Sequence, residues 1–538
     1  MKNLSVGSVM RSQLTADHHG TDNPMAGQDH GALDPLTTRR SAMSSHATVQ
    51  ASALIQDRLF IGGDMVEPES DDLLEVISPA TEEQIGSAPS ATPADVARAV
   101  RAARAAFDNG PWPHMSPQER ADALEPFADH LRSRVPQIAR LITEEMGSPI
   151  SFSHQLQAPV PVMLLDYFRG LVATFPFEQD RAGLTGTSRI LREPVGVVGQ
   201  IVPWNAPLIL TMVNLAPALI AGCTVVLKPA PETPLDAYVL AEAAMEAHLP
   251  PGVLNIVPAD RTNSEALVRH PQVDKISFTG SSAVGRRVAA LCGEQFKRVT
   301  LECGGKSPAI ILEDADLDSV VPALMPYAIM MSGQHCLAQT RILAPRSRYR
   351  QVVDAVSQAA AALTVGDPHD PATEVGPLVA ERQRRRVEDY IASGRQEGAV
   401  ITVGGGRPSR LAKGWYVEPT IFADVESRMR IAQDEIFGPV LVVIPFDDDN
   451  DAVRIANDSK YGLSGSVWSN DQDRALRIAR QVRTGSLTIN GYRIEFAAPF
   501  GGYKESGIGR EFGPEGLSSF TEYKTINLPN GTAHGQPG

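Results

Sequence analysis

The sequence has few cysteines and no recognisable metal-binding motif. Among 538 residues it contains four cysteines, Cys223, Cys292, Cys303 and Cys336, and none of them is spaced as a pair. A chain of this length does not depend on disulfide bonds, so the pattern predicts a protein of the reducing cytoplasm. None of the 12 histidines forms an HExxH motif or a Cys/His ligand pair. We therefore expect no metal ion.

Positive charge is also scarce. The chain carries 49 Lys and Arg against 63 Asp and Glu, a formal net charge of −14. Contacts to phosphates require a basic surface, so this balance argues against a nucleic acid or an anionic membrane as partner. We expect a small-molecule ligand instead.

Residues 1–50 lack both an apolar period and an uninterrupted apolar segment. They mix Ser, Thr, His, Asp, Gly and Met, which predicts a disordered extension with neither a signal peptide nor a membrane span. A translation start at Met43 is an alternative interpretation. Residues 531–538 are predicted to be a disordered tail.

Between Pro194 and Leu312, apolar strands alternate with helices. The predicted strands are VGVVGQIV, TVVLK, VLNIV, KISFTG and VTLE, separated by predicted helices at 206–221, 234–247, 263–270 and 282–291. This alternation is typical of a doubly wound parallel sheet, in which ligands bind at the carboxyl ends of the strands. Residues 320–505 repeat the α/β alternation and predict a second domain.

Further elements are predicted on either side of this sheet. Ala94–Phe107 and Ser116–Met146 have the apolar period of amphipathic helices. Residues 183–193 and 519–528 are expected to be extended arms, because they are partly apolar and lie outside the α/β alternation. Exposed strands of this kind usually pair with something, and we expect pairing across subunits.

The residues that directly follow the predicted strands are candidates for a ligand site. They are Pro203-Trp204-Asn205, Lys228, Thr279-Gly280-Ser281 and Glu302. The turn 280–285 leads from a strand into a helix, a geometry that suits a diphosphate on helix N-terminal amides. It is neither a GxGxxG motif nor a P-loop, because Arg286-Arg287 replaces the required Lys-Ser/Thr. Taken alone, such a turn is structural as often as functional.

Cys336 is the candidate nucleophile. It lies in MSGQHCLAQTR, a polar approach containing Gly and Ser that would leave its sulfur open to a small substrate. The competing interpretation is a buried small hydrophobe, which is the more common fate of a free cysteine and our expectation for Cys223. His335 is a weak candidate for the base, because adjacent side chains usually diverge.

Several motifs, taken together, resemble those of the NAD(P)-dependent aldehyde dehydrogenase superfamily. They are PWNAP, AGCTVVLKP, ISFTGS, LECGGK, SGQHCLAQTR, EIFGPV, YGLSGSVW and APFGGYKESGIGRE, and they occur in the order of that family over about residues 55–530. The spacing between Glu302 and Cys336 is also similar to that of the family.

The resemblance implies a role for each matching residue. Cys336 would attack the aldehyde, Asn205 and the Cys336 backbone N–H would hold the oxyanion, and Glu302 would activate the hydrolytic water. The implied coenzyme contacts are Pro203, Trp204, Lys228 at the adenosine ribose, Gly280 and Ser281 at the diphosphate, Glu435 at the nicotinamide ribose, and Phe437 at the nicotinamide. Taken singly, Lys228 and Glu435 could be solvated charges and Phe437 could be part of the core.

Three positions depart from the family pattern. Cys303 replaces the usual Leu after the glutamate, and Met331 stands where Asn is frequent. The acidic residue often found three positions after the lysine is Pro231 here, with Glu232 displaced by one. That acid commonly disfavours the extra phosphate of NADP, so its displacement leaves both NAD and NADP open. Residues 229–233 contain no Arg or Lys that could attract a 2′-phosphate, and NAD is therefore expected ahead of NADP.

The sequence therefore predicts an α/β protein with a doubly wound, Rossmann-like cofactor domain, an α/β catalytic domain and extended oligomerisation arms. The predicted order is a disordered extension 1–50, the cofactor domain in two parts at 51–175 and 195–303, an arm at 176–194, the catalytic domain 304–505, a C-terminal arm 506–530 and a tail 531–538. We expect a cytoplasmic homodimer or homotetramer that oxidises a small-molecule aldehyde. The alternatives are a cofactor-independent thiol hydrolase using the same cysteine and a non-catalytic scaffold.

The aldehyde itself is predicted to be apolar and of medium size. Ala206, Leu210 and Val213 share one face of the helix after Asn205, and small residues there predict a wide apolar channel that Leu337 and Phe496 complete. The alternative is that this face is ordinary core packing.

Overall fold

The strands predicted between Pro194 and Leu312 form the centre of an eight-stranded sheet in the computed structural model, which describes residues 54–529. The predictions for residues 1–50 and 531–538 lie outside the described residues. The strand order across this sheet is Gly507–Ile508, Arg298–Glu302, Lys275–Thr279, Val197–Ile201, Thr224–Lys228, Leu254–Ile256, Leu59–Ile61 and Asp64–Val66.

The five central strands of this sheet are parallel. Thr224–Lys228 is buried along its whole length, as expected for a strand covered by helices on both faces. The strand order reverses at Val197–Ile201, whose neighbours are the second and the fourth strand of the predicted series. Such a reversal opens a crevice at the carboxyl ends of the strands.

The helices that connect these strands agree with the prediction except at one start. They are Pro207–Ala221, Tyr238–Glu246, Arg261–Arg269 and Ser282–Gly293. The second helix begins at Tyr238 instead of residue 234. The residues before Tyr238 form a turn instead of a helix, because the backbone N–H groups of Leu235 and Asp236 donate to the buried Glu145 carboxylate.

The long helix predicted for Ser116–Met146 is in fact two helices, Pro117–Ala123 and Glu125–Met146. Pro126 has no N–H with which to continue the hydrogen-bond ladder, so the chain reorients at Leu124. The other described elements before residue 175 are strands Leu54–Ile55, Leu73–Ile77 and Gln84–Pro89, helices Pro93–Asn109, Ile150–Phe152 and Pro159–Leu171, the 3-10 turn Trp112–His114 and the π-helical turn Ser153–Gln157.

A second sheet of seven strands forms the other half of the chain. Its order is Val400–Val403, Thr420–Ala423, Val440–Phe446, Arg341–Pro345, Pro308–Ile311, Ser466–Trp468 and Thr488–Ile489, and it is parallel except for the first pair. Its helices are Leu317–Ala328, Tyr349–Ala362, Glu381–Gln396, Arg430–Gln433, Asp449–Asn457 and Gln472–Ala479. Short 3-10 turns lie at Met330–Gly333 and Arg346–Arg348, and Tyr461–Gly462 pairs with Tyr503–Lys504. The α/β fold is thus confirmed.

The two predicted arms pair with each other within the chain. A hairpin of Glu178–Gly183 and Gly186–Pro194 is joined by Thr521–Asn527 in a three-stranded sheet, with the long hairpin strand in the centre. Cation–π contacts reinforce this sheet, because the Arg192 guanidinium lies 4.7 Å from the ring centroids of both Phe175 and Tyr523. Within the described chain, the outer edges of both flanking strands have no strand partner.

The extended part of the C-terminal arm is shorter than predicted. Gly507–Ile508 instead joins the eight-stranded sheet beside Leu301 and Glu302, and Gly513–Ser518 is a helix. Gly507 is required for this close pairing, because a Cβ there would lie 2.0 Å from the Leu301 carbonyl oxygen. Between residues 54 and 529, no helix is both long enough and apolar enough to cross a membrane.

Candidate active site

A cleft of about 760 Å³ opens at the carboxyl ends of the parallel strands, between the two large sheets. All ten site residues selected from the sequence line it: Pro203, Trp204, Asn205, Lys228, Gly280, Ser281, Glu302, Cys336, Glu435 and Phe437. They come from loops of both halves of the chain. The cleft therefore gathers the residues that the sequence pattern had singled out.

The loop before Cys336 has an unusual backbone that is held on several sides. Met331, Ser332 and Gly333 are all left-handed, with φ of 52°, 58° and 71°. A Cβ at Gly333 would lie 2.2 Å from the Gly438 carbonyl oxygen, so no larger residue fits there. Ser332 Oγ donates to the Gly376 carbonyl at 2.7 Å. A left-handed backbone at two non-glycine residues is strain that the surrounding bonds maintain.

The Cys336 thiol is partly exposed and lies near three carboxyl groups. Burial raises the pKa of this thiol, and Glu435, Glu302 and Glu511 raise it further. The other three cysteines are buried. Cys303 also lines the cleft but is only 4% exposed, so Cys336 is the cysteine best placed to meet a substrate.

Asn205 is placed by the end of strand Val197–Ile201 and by a neighbouring glutamine. Gln157 Nε2 donates to the Asn205 carbonyl oxygen at 3.1 Å and to the Met331 sulfur at 3.1 Å. The methionine that departs from the family pattern thus accepts a hydrogen bond that links the Cys336 loop to Asn205.

Glu302 ends the strand Arg298–Glu302 and is almost completely buried. Neither of its carboxyl oxygens has a hydrogen-bond partner. Burial raises the pKa of this carboxyl well above its usual range, and Glu511 adds to the effect while Arg510 opposes it. A carboxyl with a raised pKa and free lone pairs in a cleft can accept a proton from water near neutral pH.

A second buried carboxyl near Glu302 was missed by the sequence reasoning. Glu511 Oε1 accepts from Asn214 Nδ2 at 2.7 Å, and Asn214 Oδ1 accepts from Ser277 Oγ at 2.6 Å. Burial raises the pKa of Glu511 to about 7. Glu511 is the last residue of the motif APFGGYKESGIGRE, and this position in a family motif could have marked it as a site residue.

Glu435 and Phe437 are fixed by the first turns of helix Glu381–Gln396. Arg386 donates to the Glu435 carbonyl at 2.6 Å, and Gln383 donates to the Phe437 carbonyl at 2.7 Å. Glu435 Oε1 accepts the Gly305 N–H at 3.1 Å, while burial raises its pKa to about 7. Phe437 meets Trp204 edge to face, with ring centroids 5.4 Å apart.

The part of the cleft lined by Lys228, Gly280 and Ser281 suits an anionic group. Ser281 caps helix Ser282–Gly293, whose N-terminus opens into the cleft next to Gly280. Lys228 is only 5% exposed but lines the cleft. Backbone amides at a helix start and a buried ammonium group are the features that bind phosphate and ribose oxygens. The chain thus fits a dinucleotide.

The structure disfavours His335 as the catalytic base. Its Nε2 donates to the Tyr327 carbonyl oxygen at 2.8 Å, and burial lowers its pKa to about 4. The imidazole is neutral and already engaged on one side, which disfavours the Cys–His alternative.

The residues predicted to line an apolar channel lie in different surroundings in the structure. Leu210 lines the main cleft, whereas Ala206, Val213, Leu337 and Phe496 line neither described cavity. Val213 is 1% exposed and lies inside the hydrophobic core. Phe496 packs on Phe512, with ring centroids 5.5 Å apart. A second cavity of about 340 Å³ has mainly apolar walls that include Leu156, Met330 and Met331, at the start of the Cys336 loop.

No group of three or more His, Cys, Asp and Glu side chains suited to a metal ion occurs in residues 54–529. The groups that line the cleft include thiols, carboxyls, amides, guanidinium groups and an ammonium group. These groups are sufficient for covalent addition to a carbonyl carbon and for proton transfer from water.

Comparison with known proteins places this geometry in one family. The model of the aldehyde dehydrogenase family matches residues 65–526. Geranial dehydrogenase from Castellaniella defragrans is 48% identical over 471 residues, which cover 87% of this chain and 98% of that protein.

Two solved structures are similar throughout. An aldehyde dehydrogenase from Mycobacterium tuberculosis complexed with NAD+ superposes with a TM-score of 0.88 at 50% identity, covering 90% of this chain and all (100%) of the other. A variant of aldehyde dehydrogenase C from Pseudomonas syringae, complexed with NAD+ and octanal, gives a TM-score of 0.85 at 41% identity, covering 88% and 96%. The family match spans most of the chain and includes the parallel strands of both sheets and the cleft between them, and the chain therefore belongs to the aldehyde dehydrogenase family.

Proposed function

We propose that this protein oxidises an apolar, medium-sized aldehyde to the carboxylic acid with NAD+. The observation that carries the proposal is the cleft in which Cys336, Asn205 and Glu302 meet the residues suited to a dinucleotide. The NAD+ complexes of the similar structures support the coenzyme. Neither the hydrolase nor the scaffold alternative is favoured by these findings.

The proposed coenzyme contacts follow the chemistry of the cleft. Lys228 holds the adenosine ribose, Gly280 and Ser281 receive the diphosphate at the helix N-terminus, and Glu435 binds the nicotinamide ribose. Pro203, Trp204 and Phe437 form apolar walls at the nicotinamide end. When bound, NAD+ supplies the acceptor for the hydride that leaves the aldehyde carbon.

In the first chemical step the Cys336 thiol releases its proton to solvent in the cleft, and the thiolate sulfur adds to the aldehyde carbon. The Asn205 amide and the Cys336 backbone N–H donate to the oxygen as it becomes an anion. The fixed loop at 331–333 and the Gln157 bonds hold both donors before the substrate arrives, so little reorganisation is needed. Loss of hydride then leaves a thioester on Cys336.

Hydrolysis of the thioester requires a base, and Glu302 is that base. Its unpartnered oxygens can take a proton from water as the water oxygen attacks the thioester carbon. The carbon–sulfur bond breaks, the acid leaves, and the thiol is restored. The net reaction converts aldehyde, water and NAD+ into carboxylic acid, NADH and a proton.

The proposed substrate class follows from the apolar surroundings of the thiol. Leu210 lines the cleft that contains Cys336, and Leu337, next to the nucleophile in the chain, is buried. The second, mainly apolar cavity lies at Met330 and Met331, where the Cys336 loop begins. The relatives that act on geranial or bind octanal support the same class. An aldehyde carrying a carboxylate would bury an unpaired charge there.

The decisive assay is NADH formation over a series of straight-chain aldehydes from acetaldehyde to decanal, with geranial and succinic semialdehyde added. Each buried methylene contributes about 0.8 kcal/mol, so kcat/KM should rise roughly fourfold per carbon over the first several members. The wild type should also accept geranial. A flat series, or a preference for succinic semialdehyde, would exclude an apolar substrate site.

The matched variant for this assay is Ala206→Phe, which adds a ring next to Asn205. It should lower kcat/KM for geranial and decanal about tenfold while changing acetaldehyde little, because overfilling affects only large substrates. Equal losses for all aldehydes would instead indicate damage to Asn205. Unchanged kinetics with geranial would show that Ala206 does not line the substrate site.

We also propose that the protein is a homodimer or homotetramer assembled through its three-stranded arm sheet. Tyr523 and Ile526 are 59% and 42% exposed on the edge strand Thr521–Asn527. An exposed apolar edge strand favours pairing with a second copy of the chain. This intersubunit pairing extends the sheet that the chain forms alone.

Removing residues after Phe520 should weaken this assembly. Analytical ultracentrifugation at micromolar concentration should show a dimer or tetramer for the intact chain and smaller species for the truncated one. Ile526→Glu is a milder variant that keeps the strand but places a charge on the exposed edge. A monomeric intact protein would refute the proposed interface.

A further inference from the structure

The rim of the coenzyme cleft carries an ion pair that joins its two walls. Arg382, in the first turn of helix Glu381–Gln396, donates to Glu232 at 2.5 Å, although the two residues are 150 positions apart. Glu232 lies in the turn after strand Thr224–Lys228, whereas the helix packs on the core of the seven-stranded sheet. Both side chains line the cleft.

The exposed fractions of Arg382, Glu232 and Lys228 show which of these charges lie near solvent. The Arg382 side chain is 53% exposed and that of Glu232 is 21% exposed, whereas Lys228 is 5% exposed. The pair therefore lies near solvent and Lys228 lies deeper. Burial lowers the pKa of Lys228 to about 8, and the Glu232 carboxylate opposes this shift. Glu232 is thus a negative charge that pairs with Arg382 and also stabilises the charged form of Lys228.

The other charges in this part of the cleft are differently engaged. Arg287 is paired with Glu265 at 3.1 Å, and Asp260 accepts the Asn263 N–H at 2.7 Å as a helix cap. Arg261 also lines the cleft and adds positive charge. Because Pro231 carries no charge, Glu232 is the carboxylate of its turn that an adenosine ribose at Lys228 would meet.

We propose that the Arg382–Glu232 ion pair determines the choice between NAD+ and NADP+, an inference that rests on the coenzyme site proposed above. The two coenzymes differ by a 2′-phosphate on the adenosine ribose, which adds a charge of about −1.5 to −2. Glu232 repels this phosphate. Arg382 partly neutralises Glu232 and so limits the strength of the repulsion.

This assignment predicts opposite effects for two isosteric substitutions. Glu232→Gln leaves Lys228 and Arg382 without a carboxylate between them, so NADP(H) should bind better relative to NAD(H). Arg382→Gln leaves the Glu232 charge unmasked, so NADP(H) should bind worse. The expected change in the ratio of the two dissociation constants is about tenfold for the first variant and about threefold for the second.

A purely structural tie between the walls gives a different result. Breaking the pair from either side would then loosen the cleft in the same way, and both variants would affect both coenzymes alike. The ratio of dissociation constants removes such common effects, because NADH and NADPH share every other group.

The test is fluorescence titration of the whole protein with NADH and NADPH at low ionic strength. The variants are Glu232→Gln, Arg382→Gln and the control Arg385→Gln, which lies on the same helix, pairs with Glu381 at 2.7 Å and is 68% exposed. The proposal requires a lower NADPH-to-NADH ratio of dissociation constants in Glu232→Gln, a higher ratio in Arg382→Gln and an unchanged ratio in Arg385→Gln.

Shifts in the same direction for the first two variants, or ratios within twofold of wild type, would overturn it. These outcomes would leave the proposed function intact, since wild-type protein would still bind NADH and oxidise aldehydes. A wild-type protein that binds neither coenzyme would refute the coenzyme site and this inference together.

Discussion

Replacing Cys336 by alanine is expected to abolish aldehyde oxidation while leaving coenzyme binding unchanged. In the proposed mechanism the reaction begins with a bond between the Cys336 sulfur and the aldehyde carbon, and alanine offers no nucleophile. NADH formation with octanal should fall on the order of a thousandfold or more. The dissociation constant for NADH should stay within about twofold, because the dinucleotide-binding loops on the eight-stranded sheet are not altered.

The matched control is Cys223→Ala. Cys223 is fully buried, its sulfur donates to the Phe520 carbonyl at 3.4 Å, and burial raises its pKa to about 11. This variant should keep wild-type turnover once it is folded. Substantial dehydrogenase activity in Cys336→Ala would assign the nucleophile to another residue.

Glu302→Gln is expected to separate the two halves of the reaction. The amide keeps the shape of the side chain but cannot accept a proton, so the thioester forms and then persists. Rapid mixing should give a burst of about one NADH per active site, followed by a steady rate lowered about a hundredfold or more. Acid quenching after the burst should leave the acyl group on Cys336, detectable by mass spectrometry.

The pH dependence provides the second part of the same test. In the proposed mechanism Glu302 acts as the carboxylate, and its pKa is raised, so wild-type thioester hydrolysis should slow as the pH falls through that pKa. The residual rate of Glu302→Gln should lack this step. Glu388→Gln, on the surface pair with Arg407, is the control and should behave as wild type. A full steady-state rate in Glu302→Gln would exclude the assignment.

Local patterns predicted the central strands and ten of the residues that line the cleft. The segment TVVLK is mainly apolar and ends at Lys228, so these five residues alone predict both the strand and the charged residue at its end. The break at Leu124 was missed, because the apolar period continues through it and only the missing N–H of Pro126 interrupts the backbone ladder.

Contacts between distant segments could not be predicted in the same way. The bond between Asn214 and Glu511 joins residues 297 apart, and nothing in either segment specifies the other. Val213 illustrates a related limit, because helical apolar period indicates burial and does not distinguish a core from a channel. The pairing of the two arms with each other was missed for the same reason.

The late position of two strands has a consequence for how the protein is made. Gly507–Ile508 pairs with the strand that ends in Glu302, and Thr521–Asn527 completes the hairpin sheet. Both are synthesised after every other part of the cleft, so a nascent chain leaves the ribosome with two unpaired strand edges. Such edges pair readily with other nascent chains. We therefore expect a chain that ends before residue 507 to aggregate more readily than the whole chain, because both strand edges stay unpaired.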